Sequence, residues 1–599
     1  MASIRLTQFA GLMPQLSAKL KRKDNAQIAH NCLLYDGRLR AMPAYFRYQQ
    51  LSQAPLSLYR AFNFPPFNTP GDVVPDFDFT NALYFDGPPF PTGAAGIYES
   101  SDAAYTTYIA VKFGQPGITG NILPAGIGPL VASAPATFSV TPMNQSRRPT
   151  VVGYAITALR INGNNIEETP PLYLGTIGNT SPLYYDGDAV HLSVALQPLT
   201  CGETAVRIYR TITAIETGEQ LVNTFDTDWY LVDTISIDPT APTVTYVDIS
   251  VSQNLKGTLL LTEGFLPPFF RNAPMNFGVS ESGWLWFSTN NEVQFSERYR
   301  WHAWSIPGYL KLPTVDKITS VATYYDTVFI GTTSHPYKAK VAYNDVEGND
   351  DPMMVSTNPY PEVQPCIANT LVRAPFGALY TSPNGVVSLD ENRMQVITKD
   401  LLNDGDVIYS RCVAGVHQDF SYEDITQAAW FNGWYIGYGN GIAFVYDAPE
   451  DLNSVHPFQQ LITMDLPTDV PPQCWVVGGL GLHTAFGSNL YYWPVPGWVR
   501  KGDTPQKLCY QWKSKKFVMP GITNFAAAKV VHECDGEVCF NFIVDCRCVF
   551  STKVTDCQPF RLPSSIGGIE FEIELTGKGT VSEVHVASSM QNLTEVETE

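Results

Sequence analysis

The sequence predicts an all-β protein whose largest part is a β-propeller-like body. A pattern of apolar strand, polar turn and apolar strand recurs five times, beginning near Val279, Ile318, Phe376, Ile425 and Trp475. The 39 to 58 residues between successive starts are close to the length of one propeller blade, about 40–50 residues. The 45 glycines and 45 prolines supply frequent turns, and the 12% of aromatic residues supply blade cores.

The length of 599 residues predicts several domains, because one hydrophobic core rarely serves more than about 250–300 residues. The predicted parts are an N-terminal segment packed on the propeller (1–60), a Pro/Gly-rich β platform or loop region (61–134), a β-sandwich insertion (135–252), the propeller blades (253–504) and a closing C-terminal β-domain (505–599). The sandwich is interpreted as an insertion because the blade pattern begins only after it.

The N-terminal segment combines a basic run with signals for a helix and a hairpin. The run Lys19–Lys23 is expected to form a solvated face, with contact to an acidic neighbouring subunit as the alternative. Asp24 is placed to cap a short helix over Ala26–Leu33. Asp36-Gly37 predicts a tight turn into the next strand.

Five strand signals separated by turn residues predict the β-sandwich. The signals lie at Val151–Leu159, Ala189–Leu196, Ala205–Thr213, Trp229–Ile237 and Thr243–Val251. Asp186-Gly187 supplies one of the turns. The segments Tyr154–Ala158, Arg207–Thr211 and Thr245–Asp248 resemble fibronectin-type-III-like modules inserted in phage tail proteins. That resemblance implies a fibronectin-III-like sandwich.

Local turn chemistry predicts where the blade strands reverse. Ser382–Gly385 has the proline and glycine positions of a type I turn. Further turns are predicted at Asn432-Gly433, Asn440-Gly441 and Gly487–Asn489.

In the C-terminal domain, three apolar residues alternate with three glutamates, which predicts a strand with one wet carboxylate face. The apolar residues are Phe571, Ile573 and Leu575, and the acidic residues are Glu570, Glu572 and Glu574.

The net charge of −19 argues against a protein that grips nucleic acid, whose binding face would be basic. Solubility is one explanation of this acidity. An acidic channel wall, along which a DNA duplex passes without sticking, is the other.

The 11 cysteines include six between Cys509 and Cys557 but no C-x2-C pair, so a zinc ribbon is not expected. Reduced, mostly buried thiols in a protein made in the cytoplasm are favoured, with disulfides formed later outside the cell as the alternative. The first residues do not read as a secretion signal, and the absence of a run of 18 apolar residues predicts no membrane-spanning segment.

Motifs for catalysis or metal binding are weak, so the sequence predicts no enzyme, no cofactor and no metal site. The nine histidines are scattered and form no H-E-x-x-H motif. The glycine runs Gly437–Gly441 and Gly478–Gly481 are interpreted as blade turns rather than phosphate loops. The acidic loop Asp345–Asp351 lacks the EF-hand order, and Glu297 and Asp390 are weak candidates for a glycosidase pair. Four tryptophans that could stack on sugars are assigned to blade cores: Trp284, Trp286, Trp430 and Trp434.

Ten segments outside the sandwich carry a family resemblance through their order and spacing. They are Leu6–Pro14, Ala26–Asn31, Asp36–Arg40, Phe295–Trp304, Ser334–Tyr337, Leu379–Val386, Tyr510–Phe517, Asn524–Val530, Pro559–Pro563 and Ala587–Met590. Together they resemble the tail tube or nozzle proteins of short-tailed phages (podoviruses), also called tail tubular protein B. Two regions depart from the family pattern: Arg298–Arg300, where the family often has a proline, and the cysteine-rich stretch 534–557.

The resemblance implies a structural protein of the virion tail, assembled in the host cytoplasm. The family forms a homohexameric ring below the head-to-tail adaptor, conducts double-stranded DNA without specific binding during ejection, and offers sites for fibres or a plug. The alternative is a receptor- or carbohydrate-binding tail protein, and a propeller glycoside hydrolase is less favoured because the repeated sialidase-type turn is absent.

Overall fold

In a computed structural model, the regular secondary structure of the described residues is almost entirely β-strand, which confirms the predicted all-β class. The structure describes residues 2–34, 36–50, 96–102, 105–111, 121–124, 130–143, 149–162, 165–178, 183–199, 203–211, 228–255, 257–260, 265–266, 276–280, 284–288, 290–296, 304–305, 309–313, 315–343, 352–399, 401–402, 406–413, 416–448, 461–469, 472, 474–478, 481–494, 506–563 and 565–594.

The chain divides into two compact units. The first comprises Met1–Arg60, Pro313–Ala339 and Thr357–Glu599, and the second comprises Ala61–Leu312 and Lys340–Ser356. The predicted five-part division stays a prediction beside this coarser one.

The N-terminal segment consists of short strands. They are β1 (Ser3–Leu6), β2 (Ala26–His30), β3 (Cys32–Leu33), β4 (Arg40–Ala41) and β5 (Phe46–Gln50). The predicted helix over Ala26–Leu33 is wrong, because backbone pairing with strands far along the chain outweighs the local helix signal. The predicted turn at Asp36-Gly37 is confirmed: Gly37 has φ +78°, and β3 pairs with β4 across it.

The second unit contains a small sheet and the predicted sandwich. Strands β6 (Gly96–Asp102), β7 (Tyr105–Val111) and β8 (Asn121–Pro124) form a three-stranded sheet in the order β7-β6-β8.

The sandwich is built from ten strands: β9 (Thr137–Thr141), β10 (Pro149–Thr150), β11 (Val152–Asn162), β12 (Asn165–Glu168), β13 (Leu172–Ile177), β14 (Tyr184–Tyr185), β15 (Ala189–Ala195), β16 (Glu203–Thr211), β17 (Trp229–Ser236) and β18 (Thr243–Asp248). One sheet has the order β12-β11-β16-β17, with β13 also on β11, and another has the order β18-β15-β9. Alternating residues of both sheets, such as Tyr154, Ile156, Leu192 and Ile208, share one buried core. The five predicted strand signals are therefore confirmed as β11, β15, β16, β17 and β18.

A fully buried ion pair lies inside this sandwich. Arg210 of β16 and Asp248 of β18 are both 0% exposed, and Arg210 Nη1 lies 2.9 Å from Asp248 Oδ2. Tyr154 donates a hydrogen bond of 2.7 Å to the same carboxylate oxygen, and Arg210 Nη1 also donates to Ser250 O. These bonds connect the two sheets and satisfy charges that would otherwise be costly to bury.

Among the described residues, five four-stranded arrays follow, one for each predicted repeat unit; four are separate sheets, and the fourth along the chain is part of a ten-stranded sheet. Their strands are β19 (Phe265–Leu266), β20 (Asn276–Val279), β21 (Leu285–Ser288), β22 (Glu292–Phe295), β23 (Trp304–Ser305), β24 (Tyr309–Lys311), β25 (Ile318–Tyr324), β26 (Thr327–Thr332), β27 (Tyr337–Tyr343), β28 (Pro352–Pro359), β29 (Val372–Ala374), β30 (Gly377–Ser382), β31 (Gly385–Leu389), β32 (Met394–Val396), β33 (Val407–Val413), β34 (Val416–Ser421), β35 (Gln427–Phe431), β36 (Trp434–Gly439), β37 (Ile442–Asp447), β38 (Leu461–Asp465), β39 (Cys474–Gly478), β40 (Gly481–Phe486) and β41 (Asn489–Pro494). The sheets run β20-β21-β22-β24, β25-β26-β27-β28, β29-β30-β31-β32, β35-β36-β37-β38 and β39-β40-β41-β5. Two-stranded pairs β19-β23 and β33-β34 stand beside them.

The predicted blade turns are confirmed by strand register. Ser382 pairs with Gly385, Phe431 with Trp434, Gly439 with Ile442 and Phe486 with Asn489, so each turn has two central residues. The Asn-Gly turns have positive φ at both central positions, as a type I′ hairpin requires.

Neighbouring four-stranded sheets of the first unit are connected by tyrosine hydroxyls. Tyr435 of β36 bonds Thr381 Oγ1 of β30 at 2.7 Å and donates to Thr370 O at 3.1 Å. Tyr438 of the same strand bonds the hydroxyl of Tyr45, which precedes β5, at 3.1 Å. Both β36 tyrosines are 0% exposed, so these neutral bonds stabilise the packing of sheet on sheet.

The last domain contains β42 (Tyr510–Ser514), β43 (Phe517–Asn524), β44 (Ala527–His532), β45 (Val538–Val544), β46 (Arg547–Val554), β47 (Phe560–Arg561), β48 (Gly567–Gly577), β49 (Val581–Ala587) and the short helix α1 (Gln591–Thr594). Strands β42, β48, β45 and β46 continue the sheet of β35–β38 through β2, and β43 also pairs with β48. A second sheet has the order β1-β49-β44-β47.

The alternation in β48 is confirmed, but its carboxylate face is not simply wet. Glu572 is 3% exposed, and its carboxylate lies 3.2 Å from Lys513 Nζ and accepts a hydrogen bond from Gln27. Glu574 accepts hydrogen bonds from Gln511 and Asn541. Polar side chains of flanking strands cover these glutamates. The two-residue period of one strand cannot predict this burial, because it depends on the neighbouring strands.

Candidate functional site

We define the junction as strand β2 with Asn31 and the segments that contact them, all in the first unit. Strand β2 pairs in parallel with β38 at His30 and Thr463, and antiparallel with β42 from Ala26 to His30. Ala26 and Ala29 are 0% exposed, so small side chains let β2 lie between two larger sheets. The junction thereby joins a four-stranded repeat and the C-terminal domain into one sheet.

Close backbone contact requires a glycine just before the junction. Leu12 N donates to Leu461 O at 2.6 Å, and a Cβ on Gly11 would lie 2.4 Å from that same oxygen. Any side chain at position 11 would therefore push the N-terminal segment away from β38. Phe9 and Trp512 of β42 meet edge to face, with ring centroids 4.9 Å apart.

The side chain of Asn31, which follows β2, makes three hydrogen bonds to distant parts of the chain. Its Nδ2 donates to Asp465 Oδ2 and to Cys509 O, both at 3.0 Å, and its Oδ1 accepts from Asp465 N at 2.8 Å. Its φ is +56°, a left-handed conformation that asparagine tolerates better than most residues. Backbone strain and side-chain geometry both favour asparagine here.

His30 lies beside Asn31 and contacts an acid and a hydroxyl. Its Nε2 is 3.1 Å from Asp465 Oδ1, its Nδ1 is 2.9 Å from Thr463 Oγ1, and its ring stacks on Tyr409 at 4.5 Å. A threonine hydroxyl, a histidine and an aspartate in this order resemble a catalytic triad of nucleophile, base and orienting acid. Thr463 is 0% exposed, however, so a substrate cannot reach its hydroxyl. We interpret the trio as a structural clamp.

The basic run Lys19–Lys23 is only partly solvated, which corrects the simple surface prediction. Lys21 is 6% exposed and donates to Met13 O at 2.7 Å. Burial lowers the pKa of Lys21 from its ordinary 10.5 to about 8. Lys19 instead forms an ion pair with Glu570, with Nζ and Oε1 2.5 Å apart.

Of the weak chemical candidates of the sequence, the structure describes Asp390, which serves the fold. Asp390 bonds the backbone of Asn392 and Arg393 within one turn. Glu297 and the loop Asp345–Asp351 lie outside the described residues. In the part of the chain that the structure describes, no group of three histidine, cysteine or acidic side chains could hold a metal.

The glycine runs and tryptophans lie in strands and turns of the four-stranded sheets. A Cβ on Gly437 would lie 2.2 Å from the Phe444 ring, and Gly441 has φ +76° in the turn between β36 and β37. Trp284, Trp286 and Trp434 are buried and Trp430 is half-buried. Among the described residues, no helix is long and apolar enough to cross a membrane.

The junction is the feature that sequence reasoning missed. Its one local signal is the Asn31 position at the end of an apolar segment, and its partners at 463–465 and 509–514 lie more than 400 positions away.

Comparisons with known proteins give no family. No family model matches the chain, and no curated protein matches it. Among solved structures, the Neurospora crassa Pan2 WD40 domain is similar to this chain at 10% identity and a TM-score of 0.17. That alignment covers 38% of this chain and 90% of the Pan2 domain. The extracellular domain of a putative one-component system from B. thetaiotaomicron is similar at 8% identity and a TM-score of 0.19. That alignment covers 92% of this chain and 97% of the extracellular domain. Neither similarity bears on function.

Proposed function

We propose that this chain is a structural, non-enzymatic virion protein: the tail nozzle of a short-tailed phage. The observation that carries the proposal is that segments resembling the nozzle family at both ends of the chain meet in space. Leu6–Pro14 reaches β38 and Ala26–Asn31 forms β2, which pairs with Tyr510–Phe517. Ala587–Met590 follows directly from β49, the partner of β1.

This convergence supports the resemblance in a way that sequence order cannot. Local motifs that match by chance have no reason to pack together, because their spacing along the chain does not determine their contacts. Here the matching segments form the junction and the closing sheets, where mutual packing restricts their side chains.

A rigid body of repeated sheets suits a ring-shaped conduit. We infer that the four-stranded sheets are blades of a propeller-like body and that copies of the chain form a closed hexamer. Heterologous contacts close into a ring when the rotation between subunits is a fixed fraction of a turn, and rigid subunits keep that rotation constant. The ring would attach below the head-to-tail adaptor and offer sites for fibres or a plug.

The acidic charge suits the passage of DNA. A duplex carries one negative charge per about 1.7 Å of its axis, so a basic wall would hold it in a salt-dependent way. We infer that part of the −19 lies on the channel wall. A density map of the assembled ring with a strongly basic lumen would contradict that inference.

The deciding experiment is electron microscopy and light scattering of the purified full chain, with and without the adaptor of its virion. The proposal expects a sixfold ring whose central hole admits a duplex, formed alone or on the adaptor. A persistent monomer or trimer beside the adaptor would overturn it, and binding in a glycan screen would then favour the adhesin alternative.

A further inference from the structure

Two basic runs far apart in the sequence form one surface in the first unit. We define the basic–apolar face as Lys19–Lys23 and Lys513–Lys516 together with the exposed side chains Val518, Ile522 and Ile569. Lys515 Nζ donates to Lys21 O at 2.7 Å, across 494 positions of sequence. The pairing of β2 with β42 brings the two runs together.

Direct contacts make this face continuous. Lys516 N donates to Ala18 O at 2.9 Å. Glu570 accepts ion pairs from Lys19 at 2.5 Å and from Lys516 at 2.9 Å, and it is the register partner of Val518 between β43 and β48. Lys19 and Lys516 therefore lie beside Val518, the register partner of the carboxylate that they share.

The apolar part of the face is unusually open to solvent. Ile522 is 82% exposed, Leu20 73%, Val518 50% and Ile569 44%. Clustered exposed apolar side chains with a polar rim are typical of interaction surfaces. Pro520 interrupts the pairing of β43 with β48, and a proline there hinders the addition of a foreign strand. Side chains rather than backbone would thus make the contact.

Charge identifies the kind of partner. The segments Lys19–Asp24, Lys513–Lys516 and Glu570–Glu572 hold seven cations and three carboxylates, whereas the whole chain carries −19. The rest of the chain therefore has a net negative charge, opposite in sign to these segments. A duplex has no apolar surface to cover Ile522, and Glu570 already neutralises part of the basic charge. An acidic protein surface fits both parts of the face.

We propose that the basic–apolar face docks onto the acidic surface of a second copy of this chain. The contact is heterologous, since it joins two different surfaces, and such contacts build rings. The inference rests on the proposed function for its biological setting, but its own test concerns self-association alone.

The test measures self-association of the full chain by analytical ultracentrifugation at several salt concentrations. The wild type associates, and association weakens as salt rises. Arg22→Glu with Lys23→Glu, and separately Ile522→Asp, each weaken association by roughly tenfold or more. All three sites are exposed, and circular dichroism checks that the variants fold.

Matched controls lie elsewhere on the surface. Lys317→Glu with Lys340→Glu makes the same charge change at exposed positions, and Val315→Asp repeats the apolar change at a side chain that is 78% exposed. Both controls should associate as the wild type does. Equal weakening in controls and face variants would overturn the proposal, because the effect would then reflect net charge alone.

Other outcomes also decide the question. A wild type that stays monomeric at every concentration, but binds a short DNA duplex or anionic phosphatidylserine vesicles through this face, overturns the second-copy partner. Face variants that still form channelled rings on the adaptor overturn the docking surface and leave the nozzle proposal standing. If the wild type forms an oligomer without a channel and the face variants no longer associate, the docking surface is confirmed and the nozzle proposal is overturned.

Discussion

The sandwich and the junction each bury a cation, but they satisfy it differently. In the sandwich, Arg210 lies against the fully buried carboxylate of Asp248. In the junction, Lys21 donates to the neutral carbonyl of Met13, and burial lowers its pKa to about 8. The stability of a buried ion pair depends on keeping its partner, whereas the cost of burying an amine on a neutral acceptor depends on pH, because the amine can lose its proton. The four-stranded sheets avoid both costs by using tyrosine hydroxyls.

Breaking the buried pair should have the largest effect. Asp248→Asn leaves Arg210 buried with only the more distant carboxylate of Asp186, 3.8 Å away, as counter-charge, so we expect a loss of about 3–5 kcal/mol in the free energy of unfolding. Urea unfolding, with hydrogen exchange of the β11, β16 and β18 amides, measures the loss. The double variant Arg210→Met with Asp248→Leu should recover most of it, because it removes both charges.

A surface pair gives the control for that experiment. Lys553 and Glu537 form an ion pair with both side chains more than half exposed. Lys553→Met should therefore leave the free energy of unfolding nearly unchanged. A comparable loss in both experiments would contradict the contrast between buried and exposed charge.

Asn31 tests the side-chain hydrogen bonds of the junction. Asn31→Ala removes three side-chain hydrogen bonds and puts alanine, which tolerates a left-handed backbone less well than asparagine, at φ +56°, so we expect a loss of about 2–3 kcal/mol in the free energy of unfolding. Asn31→Gly should recover about 1 kcal/mol, since glycine adopts this conformation freely. Hydrogen exchange in β2 and β38 measures both. Identical losses would show that backbone strain contributes nothing.

The buried amine of Lys21 should make stability depend on pH in the alkaline range. Its pKa is about 8 in the folded protein and 10.5 ordinarily, so between these values the unfolded state holds more protons. Stability contributed by this group therefore rises with pH across that window. Relative to Lys21→Met, the wild type should gain roughly 1–3 kcal/mol between pH 8 and 10.5. Parallel pH profiles for the two proteins would contradict the assignment.

The smallest effect is expected where sheets of the first unit meet. Tyr435→Phe removes a hydroxyl that bonds Thr381 and Thr370, which should cost about 1 kcal/mol. Tyr173→Phe, at a side chain that is 45% exposed, serves as the control and should change stability little. Thermal unfolding of the two variants separates them, and equal melting temperatures would argue against the tyrosine bonds.

Turns and strand alternation could be predicted because their causes are local. Asn432-Gly433 forms a type I′ hairpin since both residues accept positive φ, whatever surrounds them. The turn Ser382–Gly385 and the burial of Phe571 in β48 also have local causes, namely the proline and glycine positions of the turn and the two-residue period of the strand.

The junction could not be predicted for the opposite reason. Ala26–Leu33 has small and apolar residues that suit a helix or a strand, and distant partners decide between them. Glu572 looked like a surface residue because alternation ignores what lies beside the strand, and Lys513 and Gln27 then cover it.

The sequence by itself determined the all-β class, the five repeated units, their turns and the strands of the sandwich, because strand period and turn stereochemistry act over a few residues. The tertiary structure alone decided that β2 joins a repeat sheet to the C-terminal domain, that Lys21 is buried, and that two basic runs share one face. Those features depend on pairing between residues hundreds of positions apart, and no local preference encodes which distant strands will meet.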